Sequence, residues 1–412
     1  MGPISLFDKS FLQSLSVDES VWFDHFFIAN ICPIFYIETL ADLSKSIREG
    51  RSTEQEVGII ADKFPEMHGG PNIHHDILAI NNLLGSRVPM TGQIPIAGGR
   101  YVKSNNKHNV VFENTPEAIV FSRWQKREFS SIERDYAYLW RESLKALDLE
   151  SFANILRQLG ISNKSCRSLK EAKTISENIV TKRENGIDLL KYAIILFNVP
   201  EHLHPKILKR YYLANCPPLV MHAPYVAYIM IVEIFFQIAI AANLISSHRP
   251  SNRIDMAYLL YLPFCMLFVS SDKLHQKCAP LFLRDDQEFV WGNKLKADLR
   301  EINKYYSEYP QSEKDKGLFS FAPSPPKEHG LLVARLWDTY APRWRMKNFD
   351  SNSSKHADDK DIIDEIKSIQ NAPSSECESE FDPNDYDSII INRQIRKTKG
   401  SWHQVQKDIK KA

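Results

Sequence analysis

Two short apolar runs near the start of the chain each lead into a helical pattern. Ile4 to Phe7 predicts a strand that ends at Asp8, and the amphipathic pattern from Val21 to Ile31 predicts a helix. A second strand is predicted from Ile34 to Ile37, and it runs into a helix that opens at Glu38. Each of these strand-to-helix junctions therefore carries one carboxylate.

A mainly helical pattern follows and predicts an insertion over residues 51–219. Glycine, proline and asparagine interrupt it between Val88 and Phe112, where the alternation in YVKSNNKHNVVF predicts a small hairpin. The predicted helices of this insertion are Thr53 to Lys63, His74 to Leu84, Thr115 to Ala146, Leu149 to Leu159, Lys170 to Lys182, Gly186 to Phe197 and Pro205 to Leu213.

The run from Tyr225 to Leu244 is apolar and about long enough to cross a bilayer. Glu233 and Gln237 lie in its middle, four residues apart on one helical face. A carboxylate at that depth in a bilayer costs a few kcal/mol on insertion scales. We therefore expect a buried core helix rather than a membrane span, and no membrane partner.

Two more acids lie at predicted element ends after this run. Ile254 to Leu262 predicts a helix that opens at Asp255, and the apolar CMLFVSSD predicts a strand that ends at Asp272. A further helix is predicted from Leu295 to Tyr305, and residues 311–349 are assigned to a C-terminal extension.

Aliphatic content falls from Phe349 onward. Acids dominate Asp358 to Asp387, and bases dominate Arg393 to Lys411. Opposed charge blocks without an apolar period are typical of disorder. Residues 350–412 are therefore predicted to be a disordered charged tail whose removal leaves the fold intact.

Charge and cysteine content narrow the class of protein. The 412 residues carry 52 Lys plus Arg against 51 Asp plus Glu, so any nucleic-acid binding must come from local patches rather than a global basic field. The six cysteines show no C-x-x-C pairing, which predicts reduced core thiols and no structural zinc site. The opening MGPISLFDKSF has no secretory pattern, so a cytoplasmic location is expected.

The four acids Asp8, Glu38, Asp255 and Asp272 suggest one site. In an open parallel sheet, ligands bind outside the carboxyl ends of the strands, where acids distant in sequence can converge. Clustered carboxylates repel one another and stay ionised when a divalent cation neutralises them. Oxygen ligands favour Mg²⁺ or Mn²⁺, and such ions can activate water for phosphodiester cleavage.

Three sequence blocks resemble the PIN-domain nuclease family, which includes ribonuclease toxins. SLFDKSFL resembles the opening strand with its first acid, and IFYIETLADL resembles the block with a glutamate after a strand. RIDMAYLLYLPFCMLFVSSDKL is similar to the closing unit, in which an aspartate opens a helix and a strand then ends in a hydroxyl residue and another aspartate.

The resemblance implies an α/β fold with a PIN-like, mostly parallel sheet flanked by helices and a large, mainly α-helical insertion. Residues 1–50 and 220–310 would form the PIN-like domain. The four acids would be the catalytic and metal-binding cluster, with Ser10 and Ser271 as nearby hydroxyls in contact with substrate. The implied activity is metal-dependent endonucleolytic cleavage, of RNA rather than DNA, with Mg or Mn as cofactor.

Other interpretations of the same residues stay open. Asp8 and Asp272 could be turn formers, Asp255 a helix N-cap and Glu38 an acid that favours the helix dipole. Lys9 stands where the family often has a small residue, and its ammonium could take the place of a cation. The alternative function is therefore an inactive PIN-like module that binds nucleic acid or protein, with the insertion or tail as a further protein contact.

Two weaker signals lie in the insertion. His74, His75 and Asp76 could be metal ligands, but adjacent histidines are expected to point to different helix faces, which favours a plain helix start. Arg100 and Lys103 follow two glycines and could contact a phosphate, so they are the predicted substrate contacts outside the acids. A plain hairpin turn is the other interpretation of that loop.

Overall fold

The computed structural model of the chain describes most of its residues. They are 2–45, 50–96, 99–104, 107–112, 116–158, 160–162, 164–327, 330–345, 367–369, 371–374, 389–391 and 395–408. The strands are β1 (Ile4–Phe7), β2 (Ile28–Ile31), β3 (Gly69–Pro71), β4 (Arg100–Ser104), β5 (Lys107–Phe112), β6 (Leu267–Ser270), β7 (Glu288–Trp291), β8 (Ile389–Ile391), β9 (Thr398–Lys399) and β10 (Trp402–His403).

Helices surround these strands. They are α1 (Lys9–Ser14), α2 (Val17–Phe26), α3 (Pro33–Leu40), α4 (Thr53–Asp62), α5 (His75–Leu84), α6 (Pro116–Gln125), α7 (Ser131–Lys145), α8 (Leu149–Gln158), α9 (Leu169–Thr181), α10 (Gly186–Leu196), α11 (His204–Leu213), α12 (Leu219–His222), α13 (Pro224–Ala241), α14 (Asn252–Tyr258), α15 (Lys273–Cys278), α16 (Gly292–Ser307), α17 (Gln311–Lys314), α18 (Leu318–Phe321) and α19 (Leu332–Tyr340).

Five strands form one parallel sheet in the order β3-β2-β1-β6-β7. All four residues of β1 and of β6 are buried, as expected for strands covered by helices on both faces. The strand order reverses at β1, because β2 and β3 lie on one side of it and β6 and β7 on the other. The predicted α/β class with a mostly parallel sheet is thus confirmed.

The second predicted strand is wrong. The strand is β2, Ile28–Ile31, and residues 34–37 belong to α3, which begins at Pro33. Proline suits the first helical position, because its fixed φ is already helical and its missing N–H is not needed there. Glu38 therefore lies in the second turn of α3 and does not open a helix.

The sheet also takes a strand from the predicted insertion. β3 consists of Gly69, Gly70 and Pro71, a composition that indicates a turn from sequence alone. A Cβ on Gly69 would meet the Ile31 side chain at 2.6 Å and the Pro65 carbonyl at 2.7 Å. Glycine is needed here because the neighbouring chain approaches so closely. Residues 69–71, which lie within the predicted insertion, thus form an edge strand of the sheet.

α13 lies inside the fold, as predicted. It is long and apolar enough to cross a membrane, but 72% of it is buried, and it packs against α8 and α9. Glu233 pairs with Arg253 at 2.8 Å, and Gln237 donates to the Tyr192 hydroxyl at 3.0 Å. These polar partners explain how the two middle residues of the helix are accommodated within a protein core.

The N-terminus of α13 is capped by another helix. The Asn82 side-chain oxygen, on α5, accepts hydrogen bonds from the amides of Tyr225 at 3.1 Å and Val226 at 3.4 Å. The Asn82 amide group donates to the Ser86 carbonyl at 2.9 Å. A buried side chain thus satisfies two of the amides that a helix start leaves without partners.

The predicted hairpin is confirmed. β4 and β5 pair antiparallel, and β8 adds to β5 in parallel.

The prediction that residues 350–412 are a disordered tail is wrong for residues 395–408, which pack on the core. Trp402 is buried with its ring 4.7 Å from that of Trp22, and the buried Lys399 ammonium donates to the Phe64 carbonyl at 2.8 Å. The contact between the Trp402 and Trp22 rings and the hydrogen bond of the Lys399 ammonium hold this segment on the core, although its composition is highly charged. The acidic stretch lies mostly outside the described residues.

The cysteines are as predicted where the structure describes them. Five of the six are free, and Cys216 alone among those five is not fully buried.

Candidate functional site

The candidate site lies at the carboxyl ends of β1 and β6. Asp8 directly follows β1, and Asp272 follows β6 after Ser271. These two strands are neighbours and flank the point where the strand order reverses, which is where open parallel sheets bind their ligands. The two acids are therefore at the position that the strand-end argument requires.

Asp8 is buried and fixed by several hydrogen bonds. Its Oδ1 accepts from the Phe11 amide at 2.9 Å, so it also caps α1. Its Oδ2 accepts from the hydroxyls of Ser10 and Ser270, both at 2.7 Å, and lies 3.4 Å from His275 Nδ1. Burial alone would raise the pKa of Asp8, but His275 and the two hydroxyls together lower it, so Asp8 is ionised.

His275 is a buried cation that sequence reasoning missed. Its Nε2 lies 2.7 Å from the Asp255 carbonyl, and its Nδ1 lies 2.8 Å from Ser270 Oγ. That hydroxyl donates to Asp8 and accepts from the Asp272 amide at 2.9 Å, so both ring nitrogens of His275 must donate. Burial would lower the pKa of His275, but Asp8 and Asp255 raise it to about 9.

Glu38 and Lys9 form the second side of the site. Lys9 Nζ donates to Asp42 Oδ1 at 2.9 Å and to the Glu38 carbonyl at 3.1 Å, and it lies 3.5 Å from Glu38 Oε1. The Tyr258 hydroxyl donates to Glu38 Oε2 at 2.7 Å. Burial would lower the pKa of Lys9, but Glu38 and Asp42 raise it, so the ammonium stays charged.

Asp42 is an acid that the sequence did not single out. Besides Lys9 it pairs with Lys45 at 2.5 Å and with Arg141 at 3.6 Å. Three cations surround this one buried carboxylate, so Asp42 needs no further positive charge. Lys9 thus forms its ion pairs with Asp42 and Glu38.

Asp255 lies in the first turn of α14, but it is not the N-cap, which is Ser251. Burial is the largest cause that raises the pKa of Asp255 to about 7. The charges of Asp272, Glu38 and Asp8 raise it further, and that of His275 lowers it. Asp8, Glu38 and Asp272 therefore all lie close enough to Asp255 for their charges to raise its pKa.

Asp272 also has a structural role. It is the N-cap of α15, and its Oδ1 accepts from the Leu274 amide at 2.6 Å and the His275 amide at 3.4 Å. Asp8 and Asp272 are thus helix N-caps rather than the turn formers of the structural interpretation. Both caps hold the carboxylates at the sheet edge.

The charges of the site do not cancel. With every acid ionised, Asp8, Glu38, Asp42, Asp255 and Asp272 carry five negative charges, and Lys9, Lys45, Arg141 and His275 supply four positive ones, which leaves a formal charge of one negative. This excess favours a bound cation, and the oxygen donors suit Mg²⁺ or Mn²⁺.

The acids stand apart from one another. Among the described residues, the group of three His, Cys, Asp or Glu ligand atoms found within 4.8 Å of one another is His74, His75 and Asp76, not these four acids. In the part of the chain that the structure describes, no three of the four acids are therefore positioned to bind one ion directly, and Asp8, Glu38, Asp255 and Asp272 would have to move closer together to do so.

The other predicted site residues have mixed outcomes. Ser10 contacts Asp8, but Ser271 donates to Asn293 at 3.3 Å, and the hydroxyl that reaches the acids is Ser270 on β6. Successive residues along an extended chain point to opposite sides, which explains why Ser270 rather than Ser271 contacts Asp8. Arg100, which donates to the Ala372 carbonyl, and the exposed Lys103 lie on β4 in the separate three-stranded sheet.

Comparison of the chain with protein-family models, with curated proteins and with solved structures found no match.

Proposed function

We propose that this chain is a PIN-like, metal-dependent endonuclease that cleaves RNA in preference to DNA. The observation that carries the proposal is that Asp8, Glu38 and Asp272 lie close enough to Asp255 to raise its pKa, beside the reversal of strand order, with negative charge in excess. The resemblance of the three sequence blocks to PIN-domain nucleases supports the phosphodiester substrate.

The acids would hold one or two Mg²⁺ or Mn²⁺ ions, which supply activated water and charge stabilisation at the phosphate. Asp8 is the preorganised member, because two hydroxyls and a helix amide fix its orientation. Asp255, with a pKa of about 7, can accept or release a proton near neutral pH, as a general base requires. Tyr258 keeps Glu38 turned toward this group.

The test compares Asp272→Asn with wild type. Asn keeps the cap of α15, because Asn caps about as well as Asp, but removes one charge. We expect Mn²⁺ affinity, measured by calorimetry, to fall about tenfold or more, and cleavage of a labelled single-stranded RNA pool to fall with it. Asp285→Asn is the matched control, since Asp285 is an exposed acid outside the site. Equal Mn²⁺ binding by wild type and Asp272→Asn would contradict the proposal.

The second candidate is a PIN-like module that binds nucleic acid or protein without cleavage. Lys9 favours it, because the buried ammonium already neutralises part of the acidic group. This candidate predicts RNA binding that persists in EDTA, no Mn²⁺ binding and no cleavage. A gel-shift assay with and without EDTA, run beside the cleavage assay, separates the two functions.

A further inference from the structure

His74, His75 and Asp76 follow β3 at the same edge of the sheet. His74 is the N-cap of α5, with extended backbone (φ −59°, ψ 135°), and α5 begins only at His75. Its side chain therefore turns back over the first turn, and the two imidazole rings stack with centroids 4.5 Å apart. The expectation that these histidines point to different faces is wrong, because it assumed that both are helical.

The three side chains are spaced as metal ligands. His75 Nε2 lies 3.1 Å from Asp76 Oδ1. His74 Nδ1 accepts from the Asp76 amide at 3.3 Å and lies 3.4 Å from Asp76 Oδ2, so Nε2 is the His74 nitrogen that remains for a metal. One ligand atom from each residue lies within 4.8 Å of the other two. Ligand atoms at about 2.0–2.1 Å from a tetrahedral zinc ion are about 3.3 Å from one another. The three side chains are therefore near the spacing that one shared ion requires.

Tyr261 fixes the orientation of His75. Its hydroxyl accepts from the His75 amide at 3.1 Å and lies 3.1 Å from His75 Nδ1. Tyr261 is fully buried, so the oxygen has a fixed position. A metal-bound histidine usually has an oxygen partner at its second ring nitrogen, and this contact leaves Nε2 facing Asp76.

The group is open to solvent, so an ion can enter. The side chains of His74, His75 and Asp76 are 32%, 16% and 43% exposed. Two nitrogens and one carboxylate suit Zn²⁺ or Co²⁺ rather than Mg²⁺. Three protein ligands leave one position for water, as in zinc sites that act on a substrate.

The group is separate from the acids of the proposed nuclease site. β3 and β1 are two strands apart in the sheet, which corresponds to about 10 Å. None of the four acids belongs to the group of ligand atoms that His74, His75 and Asp76 form among the described residues. Binding at one site can therefore be measured independently of the other.

We propose that His74, His75 and Asp76 bind one borderline divalent ion of the Zn²⁺ class, with Tyr261 as the residue that positions His75. This site does not depend on the proposed nuclease activity. It gives the carboxyl edge of the sheet a nitrogen-containing metal centre beside the oxygen-only acids.

The test uses Co²⁺ and Zn²⁺ with tag-free, full-length protein, because a polyhistidine tag would bind both ions. Visible absorption of bound Co²⁺ reports ligand number, and calorimetry reports affinity and stoichiometry for Zn²⁺. His74→Asn is the main variant, since Asn is a good N-cap and preserves the start of α5 while removing the imidazole. Tyr261→Phe removes only the hydroxyl, and His202→Asn is the matched control on an exposed histidine.

We expect wild type, Asp272→Asn and His202→Asn to share one equivalent that binds with the same affinity, in addition to any ion held by the acids of the proposed nuclease site. His74→Asn and Asp76→Asn should lose binding, and Tyr261→Phe should weaken it roughly 10- to 100-fold. Unchanged melting of His74→Asn without metal would show that its fold is kept. No binding by wild type, or binding kept by both His74→Asn and Asp76→Asn, would overturn the proposal. So would binding that is lost in Asp272→Asn.

Discussion

Replacing Asp255 by Asn should stabilise the metal-free protein, and more so at high pH. The pKa of Asp255 rises from 3.8 to about 7 in the folded chain, because the side chain is buried beside other acids. One pKa unit corresponds to about 1.4 kcal/mol, so full ionisation of Asp255 costs the folded state about 4 kcal/mol. Asn resembles the protonated acid in shape and does not ionise.

The raised pKa of Asp255 determines how the stabilisation by Asp255→Asn changes with pH. Below 3.8 the acid is protonated in both states and contributes nothing; the cost grows between 3.8 and about 7 and is complete above that. The stabilisation by Asp255→Asn should therefore be about 2 kcal/mol at about pH 5.5 and about 4 kcal/mol at about pH 8.

Thermal melts in EDTA at the two pH values measure this difference. In chains of 150–250 residues, a change of about 1 kcal/mol in the free energy of unfolding shifts Tm by roughly 2–4 °C, and the shift is smaller in this longer chain. The gain in Tm should therefore differ by a few degrees between the two pH values. Asp285→Asn, on the exposed surface, should give no pH-dependent gain. An equal gain for Asp255→Asn at both pH values would refute the argument that Asp255 titrates near neutral pH.

Three further predictions concern stability, each measured by denaturant unfolding. Lys9→Met should destabilise the protein by about 3–5 kcal/mol in EDTA, because it leaves buried carboxylates uncompensated, and Mn²⁺ should restore part of the loss. Trp402→Ala should cost about 3–5 kcal/mol, whereas an unchanged midpoint would mean that the packed tail segment is dispensable. Asn82→Ala should cost about 1–3 kcal/mol through the lost cap of α13, with exposed Asn81→Ala as its neutral control.

The parts of the fold that the sequence predicted are those with a strong local pattern. β1 and β6 are mostly apolar and lie just before Asp8 and Asp272, and the core helix α13 is apolar except for Glu233 and Gln237. β3 was missed because two glycines and a proline have no strand preference, and only the close approach of Ile31 explains them. The apolar IFYI was assigned to a strand, but the preference of Pro33 for a helix start decided that segment.

The residues of the candidate site that could be predicted from the sequence are those at the ends of strands and the starts of helices. Asp8 and Asp272 were found because each terminates a strand, and Asp255 because it lies near a helix start. His275 and Asp42 were not found, because their roles depend on contacts between segments that are far apart in the chain. No spacing in the sequence predicts that a lysine next to Asp8 pairs with a different acid.

The central strand β1 has consequences for the way this chain folds during synthesis. Ser5 pairs with Ala29 on one side, but on the other side with Leu267, which is 262 residues further on (267 − 5). At 5–20 residues per second a ribosome needs roughly 10 to 50 seconds to supply that second partner. During this time one edge of β1, with its apolar side chains, has no neighbouring strand, and such edges pair readily with other chains. Folding of the sheet is therefore tied to completion of the C-terminal half, and nascent chains shorter than about 270 residues should depend on chaperones.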